Sequence, residues 1–413
     1  MADNKRQHYV PKSLLRRFAV DFENKKKPRQ INLVNIASGK VVRGASLSDQ
    51  CYVDYFYGKN LLIEKALGQL EGSHAELIRK VIESGSIKDS DGWSIVKMLA
   101  LQKARTLRAE EEYNNMVEKM ARLWLHGRVS EEALRSVKIG LKDAANHNVA
   151  TTLAMCPILF DLKQFLIINE TSIPFIIADN PVVQTNWFGR VREPRRMGGI
   201  TRAGLQMLMP LSPRFAVLLH DPNVYGADAD GNVIRLKRRD EVVALNELQW
   251  LNAHKNVYFP PSLAADDLDS MMRISRAGTA LANFTRAERV GDSSSWKMTD
   301  KNEFAPPSEG VTSELVLVSG GSLPKDIRLR AVRIRSRPRY HDDGSIGSFV
   351  RDPVWEVIVD DFASIAITQE ITLSDFWDFV ADHPYENQVG PWLRKSARRG
   401  RRKLLRRASS DYI

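Results

Sequence analysis

Apolar positions recur along this chain with two different periods, and the change from one to the other divides it. Between residues 61 and 85, Leu62, Ala66, Leu70, Leu77, Ile78, Val81 and Ile82 return every three or four residues, which predicts one amphipathic helix. The same period runs from about Trp93 to Gly127 through Met98, Leu99, Leu101, Met116, Met120, Leu123 and Trp124. It resumes after Ser130-Glu131-Glu132 towards Leu159, with Pro157 as a kink or restart. Beyond residue 160 the runs shorten to strand length: Phe165 to Asn169, Pro174 to Ala178, Leu205 to Met209 and Arg214 to His220. Ile31 to Ile36 and Lys40 to Val42, joined by Ala37-Ser38-Gly39, predict a hairpin, and residues 240–257 return to a helical pattern. A polar stretch from about Val290 to Gly310 reads as a linker. After it, Leu315 to Val318, Ile327 to Arg337 and Trp355 to Val359 predict strands, and a helix begins near Thr372.

These elements predict an α+β fold in which a helical block packs on a mixed or antiparallel sheet, followed by a second, smaller, basic β-rich region. The expected divisions are residues 1–290, 311–390 and a tail, 391–413. Composition is that of an ordinary globular protein, 43% hydrophobic and 27% charged. No run of about 18 apolar residues suggests a transmembrane segment, and the opening lacks the apolar core of a signal peptide, so a cytoplasmic location is expected. Cys51 and Cys156, with no CxxC spacing, exclude a disulfide framework and a cysteine-rich zinc site.

Charge changes the picture at the C-terminal end. Trp392 to Ile413 holds nine arginines and lysines against one aspartate, which is most of the net charge of +11. Such a tail reads as a contact to phosphates, of nucleic acid or of an acidic membrane surface, or else as a solvated terminus. In the expected strand from Ile327, Arg333, Arg335, Arg337 and Arg339 alternate, so period two puts their guanidiniums on one face. A ribbon of like charge repels itself unless a polyanion or acidic side chains such as Asp342-Asp343 and Asp360-Asp361 neutralise it. Arg195 and Arg196, in the glycine-containing segment WFGRVREPRRMGGITR, make that loop a further phosphate-contacting candidate, or an ordinary solvated loop.

Chemistry concentrates in the opening, Gln7-His8-Tyr9-Val10-Pro11-Lys12-Ser13-Leu14-Leu15-Arg16-Arg17-Phe18. Pro11 disfavours helix at Val10 but suits a first turn, so His8 and Tyr9 should be extended and Lys12 to Phe18 a short helix burying Leu14, Leu15 and Phe18. In Gln102 to Arg108 the apolar pattern breaks, and an inward Arg105 would need a carboxylate or a phosphate opposite it. Asp179-Asn180-Pro181 ends a buried strand, which suits either a site or a plain Asx-Pro turn. Glu71 and His74, three apart, could share a metal or a proton path, or simply face solvent. Asn246, facing a core, needs partners for both amide groups and could brace a pocket.

Together QHYVPKSLLRRF, QKARTLR, FIIADNPVV, MPLSP and LNELQWLNAHKNVY resemble, in content, order and spacing, the bacterial family called domain of unknown function 4238, over residues 7 to about 258. The resemblance falls on His8, Tyr9, Pro11, Arg16, Phe18, Arg105, Asp179, Asn180, Pro181, Pro210, Leu211, Ser212 and Asn246. Leu107 stands where a proline is expected, and Ala178 where a hydroxyl residue is common. The family supplies no activity. No Walker loop, GxGxxG, HExxH or GxSxG motif occurs in a supporting context.

The residues themselves suggest a phosphodiester reaction. His8 would be the general acid or base, Arg105 and Arg16 would hold phosphate, and Asp179 would orient His8 or a water on a divalent metal ion. Asn180 completes that catalytic set, and Tyr9, Arg195, Arg196, Arg333, Arg335 and Arg337 would bind the nucleic acid. The alternative is a non-catalytic nucleic-acid-binding or protein-interaction module whose polar interior is structural. A role in bacterial conflict or phage defence is a further reading that no residue tests.

Overall fold

The structure is a computed structural model that describes residues 5–22, 28–59, 61–125, 128–192, 199–277, 283–291, 297–299, 308–319, 323–342, 349–366, 373–389 and 393. In chain order, β1 (Arg6–His8), α1 (Lys12–Leu15), β2 (Gln30–Asn35), β3 (Val41–Ser46) and β4 (Tyr52–Asp54) precede the helices α2 (Leu62–Ser84), α3 (Gly92–Ala104), α4 (Leu107–Leu125), α5 (Glu131–Ser136) and α6 (Ala144–Met155). Strands follow: β5 (Lys163–Asn169), β6 (Ile177–Ala178), β7 (Val183–Thr185), then α7 (Trp187–Arg192), then β8 (Gln206–Ser212), β9 (Phe215–His220), β10 (Tyr225–Ala227) and β11 (Val233–Leu236). The chain continues through α8 (Arg239–Asn252), β12 (Asn256–Phe259), α9 (Ala265–Met272), β13 (Asn283–Val290), β14 (Lys297–Thr299), β15 (Val311–Ser319), β16 (Val332–Ile334), α10 (Pro353–Ala366) and α11 (Leu373–Asp382).

The protein is α+β. A five-stranded sheet, β11-β5-β9-β8-β7, is antiparallel except where β11 runs parallel to β5. A four-stranded antiparallel sheet, β3-β2-β12-β6, contains the expected hairpin of β2 and β3. Strands β8 and β9 are almost wholly buried, and β5 is buried over Phe165, Leu166 and Ile167, which explains why they read as continuous apolar runs. One apolar core joins α1, the two sheets and α8 to Leu323, Ile327, Trp355, Ile358, Val359, Phe376, Trp377 and Val389. Arg351 pins this later part down, its Nε donating to Asp161 Oδ2 at 2.6 Å and its Nη2 to the carbonyl of Ile158 at 2.8 Å.

Several expected elements differ. The helix expected from Ser130 towards Leu159 is interrupted between α5 and α6, and the stretch expected as a linker from about Val290 to Gly310 contains β14, which pairs with β13. The long helix from Trp93 is split at Arg105, whose φ of −92° and ψ of 3° leave helical geometry. Thr106 restarts it as a cap, its Oγ1 accepting the N–H of Ala109 at 3.2 Å. Trp355 to Val359 is helix, because Trp355, Ile358, Val359 and Phe362 face the core at three- and four-residue spacing and packing overrides their β-propensity. The strand expected over Ile327 to Arg337 forms only at Val332–Ile334, opposite the three residues of β10, so strand alternation covers Arg333 and does not place Arg335, Arg337 and Arg339 on one face with it.

Candidate functional site

Pro11 stops β1 and opens α1, so that α1 buries Leu14 and Leu15 and the following 3₁₀ turn buries Phe18. The chain just ahead of it is consumed by the α3–α4 break. Gln102 Nε2 donates to the carbonyl of Tyr9 at 3.1 Å, and Arg105 Nη2 to the carbonyl of His8 at 2.7 Å. Arg105 is fully buried, and the carboxylate that its burial demands is Glu71, whose Oε1 lies 2.7 Å from Nη2. Its Nε donates to the Tyr57 hydroxyl at 3.2 Å, and that hydroxyl donates to the Arg105 carbonyl at 3.1 Å. Each of these contacts joins chain segments distant in sequence.

His8 meets this hub only through its peptide group. Its ring is buried, and Nε2 lies 3.2 Å from the Ser48 carbonyl. Burial first, and the charge of Lys12 second, lower its pKa from the usual 6.5 to about 4, so the imidazole is neutral near pH 7. Beside the hub, Ser13, Glu71, His74, Gln102 and Arg105 line a cavity of about 20 Å³. That is room for a single water and not for a phosphodiester. Burial also depresses His74 to about 4 and raises Glu64.

The Asp-Asn-Pro turn is likewise engaged by backbone. Asp179 Oδ1 accepts the N–H of His254 at 2.8 Å, and Oδ2 accepts those of Lys255 at 2.7 Å and Asn256 at 3.0 Å. Burial pushes its pKa up while the three amides favour the carboxylate. Asn180 Oδ1 accepts from Thr106 Oγ1 at 3.1 Å, and its Nδ2 donates to the Asn252 carbonyl at 3.2 Å.

Helix α8 supplies the rest of the clamp. Asn246 accepts from the N–H of Ile176 at 3.1 Å and donates to the Pro174 carbonyl at 2.9 Å. Gln249 repeats the pattern with Ala178 N–H at 3.0 Å and Pro181 carbonyl at 2.9 Å, and Asn252 donates to the carbonyls of Asn180 and Val182. Three amide side chains at three-residue steps thus serve the segment from Pro174 to Val182 as a neighbouring strand would. Asn246 alone was expected to brace the interior. The equal spacing of Gln249 and Asn252 in NELQWLN was the available signal for the other two.

The structure therefore joins Arg105 to His8 through a carbonyl and Asn180 to the α3–α4 break, whereas Asp179 and the His8 ring hold different backbone partners. Asp179 does not orient His8 by a hydrogen bond, because its two oxygens face the amides at 254–256. Tyr9 is 5% exposed and packs on Phe56, so its ring is no surface contact. Arg16 is half-buried, and its Nε has no hydrogen-bond partner among the described residues. Among the described residues no group of three or more His, Cys, Asp or Glu is arranged to hold a metal ion.

Arg195 and Arg196, the tail apart from Leu393, and Asp343 lie outside the described residues. Arg333, Arg335, Arg337 and Arg339 are all exposed. Their backbone is fixed by β16–β10 pairing and by the N–H groups of Arg335 and Arg339, which donate to Val224 and Asn223 carbonyls at 2.9 and 3.1 Å. Arg335 Nε also donates to the Pro222 carbonyl at 2.8 Å. Among the described residues no carboxylate pairs with any of the four, and Asp361 is engaged by His383 instead.

The family described as a protein of unknown function, DUF4238, matches over residues 6–262. The chain belongs to that family. No curated protein and no solved structure matches it. Among the described residues no helix is long and apolar enough to cross a membrane.

Proposed function

We propose that this protein binds nucleic acid on the arginine row at 333–339, and that the motif-bearing interior is the rigid scaffold behind it. The observation that carries this reading is that four exposed arginines within seven residues have no acidic partner among the described residues. Elsewhere on the surface Arg6, Arg79, Arg235 and Arg238 each meet a carboxylate. Four exposed guanidiniums fixed on one backbone segment repel one another, and a polyanion relieves that repulsion while releasing its counterions. The neutral, carbonyl-bound His8 and the amide-bound Asp179 are on this reading structural groups, and binding proceeds without strand cleavage.

Filter binding of end-labelled RNA and DNA to the full chain tests it. Binding without cleavage is expected, with at least a tenfold loss in the double variant Arg333→Glu/Arg337→Glu, since two reversed charges alter several phosphate contacts. Equal binding by that variant, or strand cleavage abolished by His8→Ala, rejects it.

A further inference from the structure

Beside the arginine row lies an aromatic stack that ends in a cation. Trp187, the first residue of α7, is half-buried with its ring 6.2 Å from that of Tyr225 and inclined by only 16°. The guanidinium of Arg328 lies over the same indole, 5.5 Å from its centre. Arg328 is held there electrostatically by Asp326, 3.7 Å away, yet its side chain is 59% exposed. Asp326 also accepts from Arg190 Nε at 2.6 Å, which fixes the acid.

Tyr225 ties this stack to the row. It pairs with Ile334 in the β10–β16 ribbon, and its carbonyl accepts from Arg335 Nε at 3.1 Å. Its hydroxyl accepts the N–H of Phe188 at 2.9 Å and donates to the Gly204 carbonyl at 2.8 Å, so the ring cannot turn away freely. A planar guanidinium over an indole is thus presented on the ribbon that carries the exposed arginines at 333–339.

We infer that the partner is single-stranded, with an unpaired base stacked on the Arg328 guanidinium and the arginines at 333, 335 and 337 following its phosphates. This rests on the nucleic-acid reading above. Bases inside a duplex are already stacked on each other and expose only their edges, so a planar stacking surface has nothing to engage there. Stacking also tolerates any base, because every base offers a π-face.

Fluorescence anisotropy with three labelled probes of equal length separates the two claims. These are an intact single strand, the same strand with a run of abasic sites, and the corresponding duplex. The full chain should bind the intact strand at least fivefold more tightly than the abasic one, in line with the stacking contribution of one base. Arg328→Lys keeps the charge and loses the plane, so it should bring the intact strand to the abasic level and leave duplex affinity unchanged. Equal affinity for intact and abasic strands, or a gap that survives Arg328→Lys, overturns the stacking inference. If Arg333→Glu/Arg337→Glu still weakens all three probes, the arginine surface stands and only the single-strand assignment falls. If that variant binds every probe like the parent, both fall.

Discussion

The Nη2 of Arg105 lies 2.7 Å from the carbonyl oxygen of His8, so the first and second sequence motifs meet through a peptide group and not through the imidazole. The same nitrogen reaches Glu71, and Nε reaches Tyr57. Removing the guanidinium strands a carboxylate that is only 27% exposed, together with a buried phenol and a buried carbonyl. Arg105→Met should therefore destabilise the fold by about 3–5 kcal/mol, the usual cost of breaking a buried pair from one side. Urea unfolding followed by circular dichroism measures it. A loss below about 1 kcal/mol, the range of an exposed pair, would remove Arg105 from its place as the hub.

Asp179→Asn keeps the shape of the side chain and reverses the polarity of one end. An amide NH₂ then faces backbone N–H groups at 254–256, where the carboxylate accepts all three. At least one buried donor is left unsatisfied, and a destabilisation of roughly 2–4 kcal/mol follows. Asp179→Asn should unfold at lower urea with an unchanged slope. Unchanged stability, combined with lost nucleic-acid binding, would return Asp179 to the role of a site residue.

The sequence exposes the hub's needs better than its geometry. An inward Arg105 called for a carboxylate or a phosphate, and Glu71, already marked by its spacing from His74, is the carboxylate. That the acceptor opposite would be the His8 carbonyl had no signature, because every residue carries a carbonyl and side-chain identity does not say which peptide group will be buried. The strands at 165–169 and 214–220 were legible because burial on both faces leaves a continuous apolar run. Residues 355–359 read as strand because Val357, Ile358 and Val359 are a β-branched run, and only the positions of Trp355 and Phe362 on the same face distinguish a helix. The clamp on α8 needed Asn246, Gln249 and Asn252 to be read as one row.

Acid stability reports on the buried imidazoles. His8 is held near 4, and His220, directly opposite Gln206 in the β8–β9 pairing, near 3, in both cases chiefly by burial. Both values lie below the 6.5 of a free histidine, so between 6.5 and those values the unfolded chain binds protons that the folded protein refuses. Stability is complete above about pH 6.5 and falls on acidification by about 1.4 kcal/mol per pH unit for each such histidine. Asp161, pushed up to about 6 by burial, works in the opposite sense below that pH, so the comparison with a variant is the informative quantity. His220→Leu should flatten the fall between pH 6 and 4 by about one proton. An identical pH profile would show that folding leaves the titration of His220 unshifted and that burial does not exclude its proton.

Salt dependence isolates the arginine row from every other contribution to binding. Each arginine that neutralises a phosphate releases counterions, so the plot of log affinity against log salt steepens by roughly 0.7 to 0.9 per contact. Arg333 and Arg337 are exposed and without a carboxylate partner among the described residues, so their replacement disturbs no internal ion pair. The variant Arg333→Ala/Arg337→Ala should accordingly keep its unfolding midpoint and lose about 1.5 from the slope. The same substitution at Arg235, which is paired with Glu170 at 2.8 Å, should leave the slope unchanged. A slope that is equal in the parent and the double variant would mean that the phosphates lie elsewhere on the protein, and the row at 333–339 would no longer define its binding face.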